Sequence, residues 1–128
     1  MGDRGNIFIK EKDSGIYFYS HWSGNDLPII LKEALIRGKD RWSDLSYLAR
    51  IIFSTMTKDD NTTIGFGISI SPEDNEYQLL VVDPEENMVH ISDFPYNGKH
   101  KYSISFEKYI ELKEDECCAV RDGLGVFI

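Results

Sequence analysis

Cysteine is nearly absent: Cys117 and Cys118 are the only two in 128 residues, and they are adjacent. Neighbouring cysteines make a poor structural disulfide and fall short of a zinc ligand set, so both are read as reduced thiols and no metal or other cofactor is expected. Long apolar runs are also missing. No stretch approaches the roughly 20 apolar residues that a membrane-spanning helix needs. Met1 to Lys10 lacks the basic-then-apolar order of a signal peptide, so a soluble, cytoplasmic protein with no membrane contact is expected. Basic residues are in deficit, with 14 Lys and Arg against 22 Asp and Glu, a net charge of -8. A phosphate-tracking protein shows a basic stripe, so non-specific nucleic-acid binding is not expected, whereas a small local anion site remains open.

What is present suits a single domain over 1–128. Hydrophobic residues make up 41% and charged residues 28%, enough apolar surface for a core without a staple. The charge is uneven. Residues 1 to 58 carry nine Lys and Arg against seven Asp and Glu, and residues 59 to 128 carry five against fifteen, so the acidity belongs to the C-terminal half. Such a surface favours solubility or a basic partner.

Asn6 to Lys10 and Ile16 to Ser20 are short β-branched and aromatic runs around Asp13-Ser14-Gly15, the signature of a hairpin. Alternation in the second run puts Tyr17, Tyr19 and His21 on one face if the strand extends that far. From Asp26 the period changes. Leu27, Ile30, Leu31, Ala34 and Leu35 predict an amphipathic helix with Asp26 as N-cap, Pro28 in the first turn and Gly38 as a left-handed C-terminal residue. Leu45, Leu48, Ala49, Ile52, Phe53 and Met56 predict a second helix over 43–56, capped by Ser43 or Asp40. Ile64, Phe66, Ile68 and Ile70 alternate with small residues as a third strand. Runs over 77–83 and 88–91 flank the turn Pro84-Glu85-Glu86-Asn87. Beyond Ser92 the pattern weakens to a strand over 101–104, a short helix over 106–112 and an apolar tail over 122–128 that should pack on the body.

The candidates for chemistry gather around "YSHWSGN", residues 19 to 25. His21 can act as acid or base near neutral pH, and Trp22 can stack on a flat ligand. Both also suit a plain packing role at a strand-to-helix corner, and no nucleophile or second histidine stands at a diagnostic spacing. Asp3 and Arg4, with Arg41, Ser43, Asp44 and Arg50, would complete an acid, a base and an anion clamp if the fold brought them together, or an ion-pair network if it did not. Gly65-Phe66-Gly67 lacks the third glycine and following helix of a dinucleotide site, so close packing against an aromatic or a helix is the better reading. The acidic positions Glu73, Asp74, Glu76, Glu85, Glu86, Glu114, Asp115 and Glu116 read as solvated surface, with phosphate mimicry as the alternative.

Four stretches together carry a resemblance: Met1-Gly2-Asp3-Arg4-Gly5-Asn6-Ile7, Tyr19-Ser20-His21-Trp22-Ser23-Gly24, Arg41-Trp42-Ser43-Asp44, and Tyr47 to Phe53. They resemble an uncharacterised family of small archaeal, bacterial and phage proteins with an MGDR-type start and a His-Trp-x-Gly element. The likeness spans about residues 1–91, leaving 92–128 as a variable portion. It implies a protein that mobile elements can carry and implies little about activity. Ser43 stands where many relatives have an acidic residue, which speaks against a required carboxylate there.

The expectation is therefore an α+β domain: an antiparallel sheet of five to six strands with two consecutive helices packed on one face. The leading function is a non-enzymatic binding protein recognising a protein or a small anionic ligand. Its corner would use Arg4, Trp22, Gly24, Arg41 and Arg50. The alternatives are a hydrolase or phosphodiester-cleaving enzyme with His21 as acid or base oriented by Asp3, and an acidic mimic of nucleic acid.

Overall fold

Two strands joined by a tight turn open the chain in the computed structural model, which describes residues 2–71 and 74–123. Strand β1 (Gly5–Glu11) pairs antiparallel with β2 (Ser14–Ser20) from Gly5↔Ser20 to Glu11↔Ser14. The turn is therefore Lys12-Asp13, one step earlier than the sequence suggested, with Lys12 in the left-handed region at φ 55°. Ser14 and Gly15 belong to the strand.

Four more strands complete the sheet: β3 (Phe66–Ser69), β4 (Leu79–Asp83), β5 (Met88–Ser92) and β6 (Tyr102–Ser105). Their order is β3-β2-β1-β4-β5-β6. Every neighbouring pair is antiparallel except β1 and β4, which run parallel with Phe8 opposite Val81. The sheet is thus mixed, a correction to the purely antiparallel expectation. Alternation along a strand reports which side each residue faces but not which strand lies beside it. The chain leaves the edge strand β3, passes the start of β1, where Asn6 Nδ2 donates to the Asp74 carbonyl at 2.7 Å, and re-enters on the far side of the hairpin.

One consequence of the register is a row across all six strands. Ser69, Tyr17, Phe8, Val81, His90 and Ser103 are successive cross-strand partners and share one face. Phe8, Tyr17, Leu79 and Val81 form a small apolar cluster there, covered by Phe94 and Tyr96. The opposite face carries the main core. Ile7, Ile9, Phe18, Leu80, Val82, Val89, Ile91 and Ile104 from the sheet join buried side chains of four helices in one cluster. Each fully buried Leu, Ile or Phe contributes about 1.5–3 kcal/mol, so this layer carries most of the fold's stabilisation.

Helix α1 (Leu27–Arg37) supplies Leu27, Leu31, Ala34 and Leu35, and α2 (Leu45–Met56) supplies Leu48, Ile52 and Met56. The ends differ from the sequence reading. Asp26 makes no side-chain cap bond, because a 3-10 turn over Gly24–Asp26 precedes α1 and the Gly24 and Asn25 N–H groups donate to Asp3 instead. Gly38 has φ -100° and is not left-handed. Asp44, rather than Ser43 or Asp40, caps α2 by accepting from the Tyr47 N–H at 3.4 Å. Trp42, buried between the two helices, donates from Nε1 to the Leu35 carbonyl at 2.8 Å and meets Phe106 edge-on.

Helix α3 (Phe106–Glu111) matches the short helix expected near there, and its Tyr109 hydroxyl donates to the Pro28 carbonyl at 2.8 Å. Helix α4 (Glu114–Asp122) was not anticipated. Its first turn is acidic, the Lys113 N–H donates to Glu116 Oε1 at 2.7 Å, and Gly123 ends it with φ 73°. Residues 124–128 of the expected apolar tail lie outside the described residues. None of the helices among the described residues is long and apolar enough to cross a membrane.

Both cysteines are free thiols. Burial pushes the Cys117 thiol up to about 11 and raises Cys118 as well. The thiolate is the reactive form, so Cys117 should resist a thiol-specific disulfide reagent at neutral pH in the native protein and react promptly in denaturant. A time course of absorbance with and without urea checks this, and prompt native reaction at both cysteines would contradict the burial.

Candidate functional site

The strand-to-helix corner brings together five of the residues singled out in the sequence: Asp3, Arg4, His21, Trp22 and Gly24. Their charges are turned on local partners. The Asp3 N–H donates to the His21 carbonyl at 2.8 Å, and the Asp3 carbonyl accepts from the Gly24 N–H at 2.7 Å. The Asp3 carboxylate accepts from the Asn25 N–H at 3.0 Å and from the Tyr77 hydroxyl. Burial, with that bond to Asp3, pushes the Tyr77 phenol up to about 12. Asp3 is thus the acceptor that organises the turn before α1. It does not orient the His21 ring, whose Nδ1 shares a 2.8 Å hydrogen bond with the Tyr19 hydroxyl.

Arg4 is paired as well. Its guanidinium lies 2.8 Å from Asp74 and 3.0 Å from Glu76, and together with its own backbone N–H it holds the Glu76 carboxyl below the ordinary range. Gly24 is sealed in. A Cβ there would lie 2.7 Å from the Asp3 carbonyl oxygen and 2.8 Å from the Tyr77 ring, so only glycine fits. Trp22 stands edge-on to His21 at 4.9 Å and half exposed. Its ring covers Gly65, where φ is 104° and a Cβ would come within 2.7 Å of the indole. The Gly-Phe-Gly element therefore packs against an aromatic ring.

Arg41 does not join this corner. Arg41 lies exposed over the Tyr47 ring at 4.9 Å, and nearby Ser43 accepts a 3.4 Å bond from Asn87, in the turn between β4 and β5. That turn is at the end of the sheet away from His21. Arg50 is exposed on α2. Residues 3–4 and 21–24 thus gather at one end of the sheet, and Arg41 and Ser43 lie by the β4–β5 turn at the other. The helices run the length of the sheet, so their joining loop lands on the other side from the strand that feeds them.

A second constellation was not singled out in the sequence. On the face opposite the helices, His90 of β5 and Asp83 at the end of β4 are each 3% exposed, with Nε2 and Oδ2 3.1 Å apart. His90 Nδ1 meets the Ser103 hydroxyl at 2.6 Å. Glu86 in the intervening turn brings Oε1 to 4.0 Å from His90 Nε2. The His100 ring stacks on His90 at 3.7 Å and 7°, and its Nε2 bonds the Tyr96 hydroxyl at 2.9 Å. Burial, the neighbouring His90 and Lys10 depress the His100 imidazole. An open pocket of about 640 Å³ fronts the cluster, lined by Lys10, Lys12, Asp83, Glu86 and His100 among others. A signal for it exists in the sequence. In a hairpin whose turn joins Asp83 to Met88, the residue opposite Val81 is His90, so Asp83 and His90 fall on one face as diagonal neighbours.

Comparison with protein-family models, with curated proteins and with solved structures finds no match, and the reading of both constellations rests on their geometry.

Proposed function

We propose that the chain is a non-enzymatic binding protein that holds an extended segment of a partner protein along the outer edge of β3. The observation that carries this reading is the edge itself. Among the described residues, strand β3 has a neighbour only on the β2 side, and Ile64, Ile68 and Ile70 on and beside it are 62%, 58% and 81% exposed. Trp22, 51% exposed, continues the patch through its seat on Gly65. Single exposed apolar residues are ordinary, but a run of them on an edge strand presents both backbone groups and side-chain anchors to an added strand.

An open apolar depression of about 820 Å³, with Ile16, Leu45, Ala49 and Ile70 in its lining, adjoins the same edge. Asp59 and Asp60 precede the strand in sequence, which favours a partner segment with basic residues. The paired state of Asp3 and Arg4 supports binding over the hydrolase alternative, since neither is left to orient His21 or to meet substrate charge. It also leaves the corner a poor site for a small anion. Asp74 and Glu76, both matched to Arg4, support solvated surface over nucleic-acid mimicry.

Selection of a displayed peptide library on the immobilised protein is expected to enrich β-branched segments with basic flanks. The double substitution Ile68→Lys, Ile70→Lys should weaken their binding at least ~10-fold while the circular dichroism spectrum and Tm stay unchanged. An empty selection, or binding indifferent to the double substitution, would sink the proposal.

A further inference from the structure

We propose that Asp83, Glu86 and His90 hold a divalent first-row transition-metal ion on the sheet face opposite the helices. One oxygen from each carboxylate and one ring nitrogen already lie within 4.8 Å of one another. Donors bound at about 2.0–2.2 Å around one ion sit some 3–4 Å apart, so modest side-chain rotation closes the set. The elements that hold it are rigid where rigidity matters. Asp83 and His90 are ladder residues of adjacent paired strands, and only Glu86 comes from the turn between them. The two carboxylates balance a dication. The imidazole favours a borderline ion such as Zn²⁺ over Mg²⁺ or Ca²⁺, which take oxygen.

Three features beyond the donors support a site. First, Asp83 and His90 are sealed from water on the protein side, at 3% exposure each, whereas Glu86 opens onto the 640 Å³ pocket, giving an entry path and room for water or another ligand to complete the coordination. Second, His90 Nδ1 is held by the Ser103 hydroxyl at 2.6 Å, the outer contact that fixes ring orientation in metal sites. Third, the stacked His100 ring restrains the His90 plane from one side.

The contact of Nδ1 with Ser103 leaves Nε2 as the ring nitrogen that faces the Asp83 and Glu86 carboxylates. A hydroxyl can serve either tautomer, because it both donates and accepts, whereas a backbone carbonyl or N–H could serve only one.

The site is separated from the β3 edge by β2 and β1, and the inference does not depend on the partner-binding reading. The test is titration of chelator-stripped protein with ZnCl₂, followed by calorimetry and by long-range proton–nitrogen NMR of the histidine side chains. The expected result is one saturable ion per chain, a raised Tm, and a shift of the His90 Nε2 resonance that saturates at the same stoichiometry. Glu86 is exposed, so Glu86→Gln should fold normally and weaken binding at least ~10-fold. The proposal is overturned if excess Zn²⁺ leaves the His90 resonances unchanged, or if binding is the same in Glu86→Gln.

Discussion

Arg121→Ala should lower the free energy of unfolding by about 3 kcal/mol, the scale for breaking a buried charged contact and leaving its partner group unmatched. Arg121 is 1% exposed. Its Nη1 donates to the Gly24 carbonyl at 2.6 Å, the guanidinium lies 3.9 Å over the Tyr77 ring, and Nε meets Asp122 at 2.9 Å. Removal therefore strips a donor from the buried turn before α1, takes the cation from Tyr77 and opens a cavity under α4. The effect should appear in urea denaturation as a lower midpoint at similar slope. Arg121→Lys should recover only part, since an ammonium cannot reach the carbonyl and lie flat on the ring together. Asp122→Asn, at the exposed end of the same contacts, should cost less than ~1 kcal/mol. A near-neutral Arg121→Ala would show that α4 does not brace the corner.

His90→Leu should cost a similar amount, about 3 kcal/mol, when measured with a chelator present. The leucine fills much of the volume but leaves the Asp83 carboxylate buried, with the 3.3 Å contact from the Glu86 N–H as its remaining hydrogen bond among the described residues. The loss is then chiefly the desolvation of an unmatched carboxylate. The double variant Asp83→Leu, His90→Leu separates this from lost packing. It should be more stable than His90→Leu alone, and the cycle should give a coupling of 1 kcal/mol or more in order of magnitude. Strict additivity would mean that the two side chains are neighbours without being partners.

How much of this was legible in the sequence depends on what each residue pattern encodes. The period of α1 and α2 could be read because Leu27, Leu31, Ala34 and Leu35, and Leu48, Ile52 and Met56, each make one buried stripe. Helix α4 was missed because only Cys117, Val120 and Arg121 of its nine residues are buried, and its buried arginine counts as polar in any pattern. The parallel β1–β4 pair was not legible, since Leu79 to Asp83 is buried throughout and carries no mark of its neighbours. At the corner, the residue types were informative but their roles were not. Asp3 and Arg4 look like free charges until Tyr77, Asp74 and Glu76 arrive from some 70 residues away. His90 stands in an otherwise apolar strand, and only its register with Asp83 across the hairpin marks it as polar and paired.

The bond from Arg121 to Gly24 spans 97 positions, and that from Tyr77 to Asp3 spans 74. Loop closure of that length must precede any gain from the contact, which slows folding and favours late completion. On the ribosome, β1, β2 and α1 emerge well before their fastening residues exist. The turn at Gly24 waits for Tyr77 and then for α4, so a nascent chain carries an unlatched corner until Arg121 has emerged.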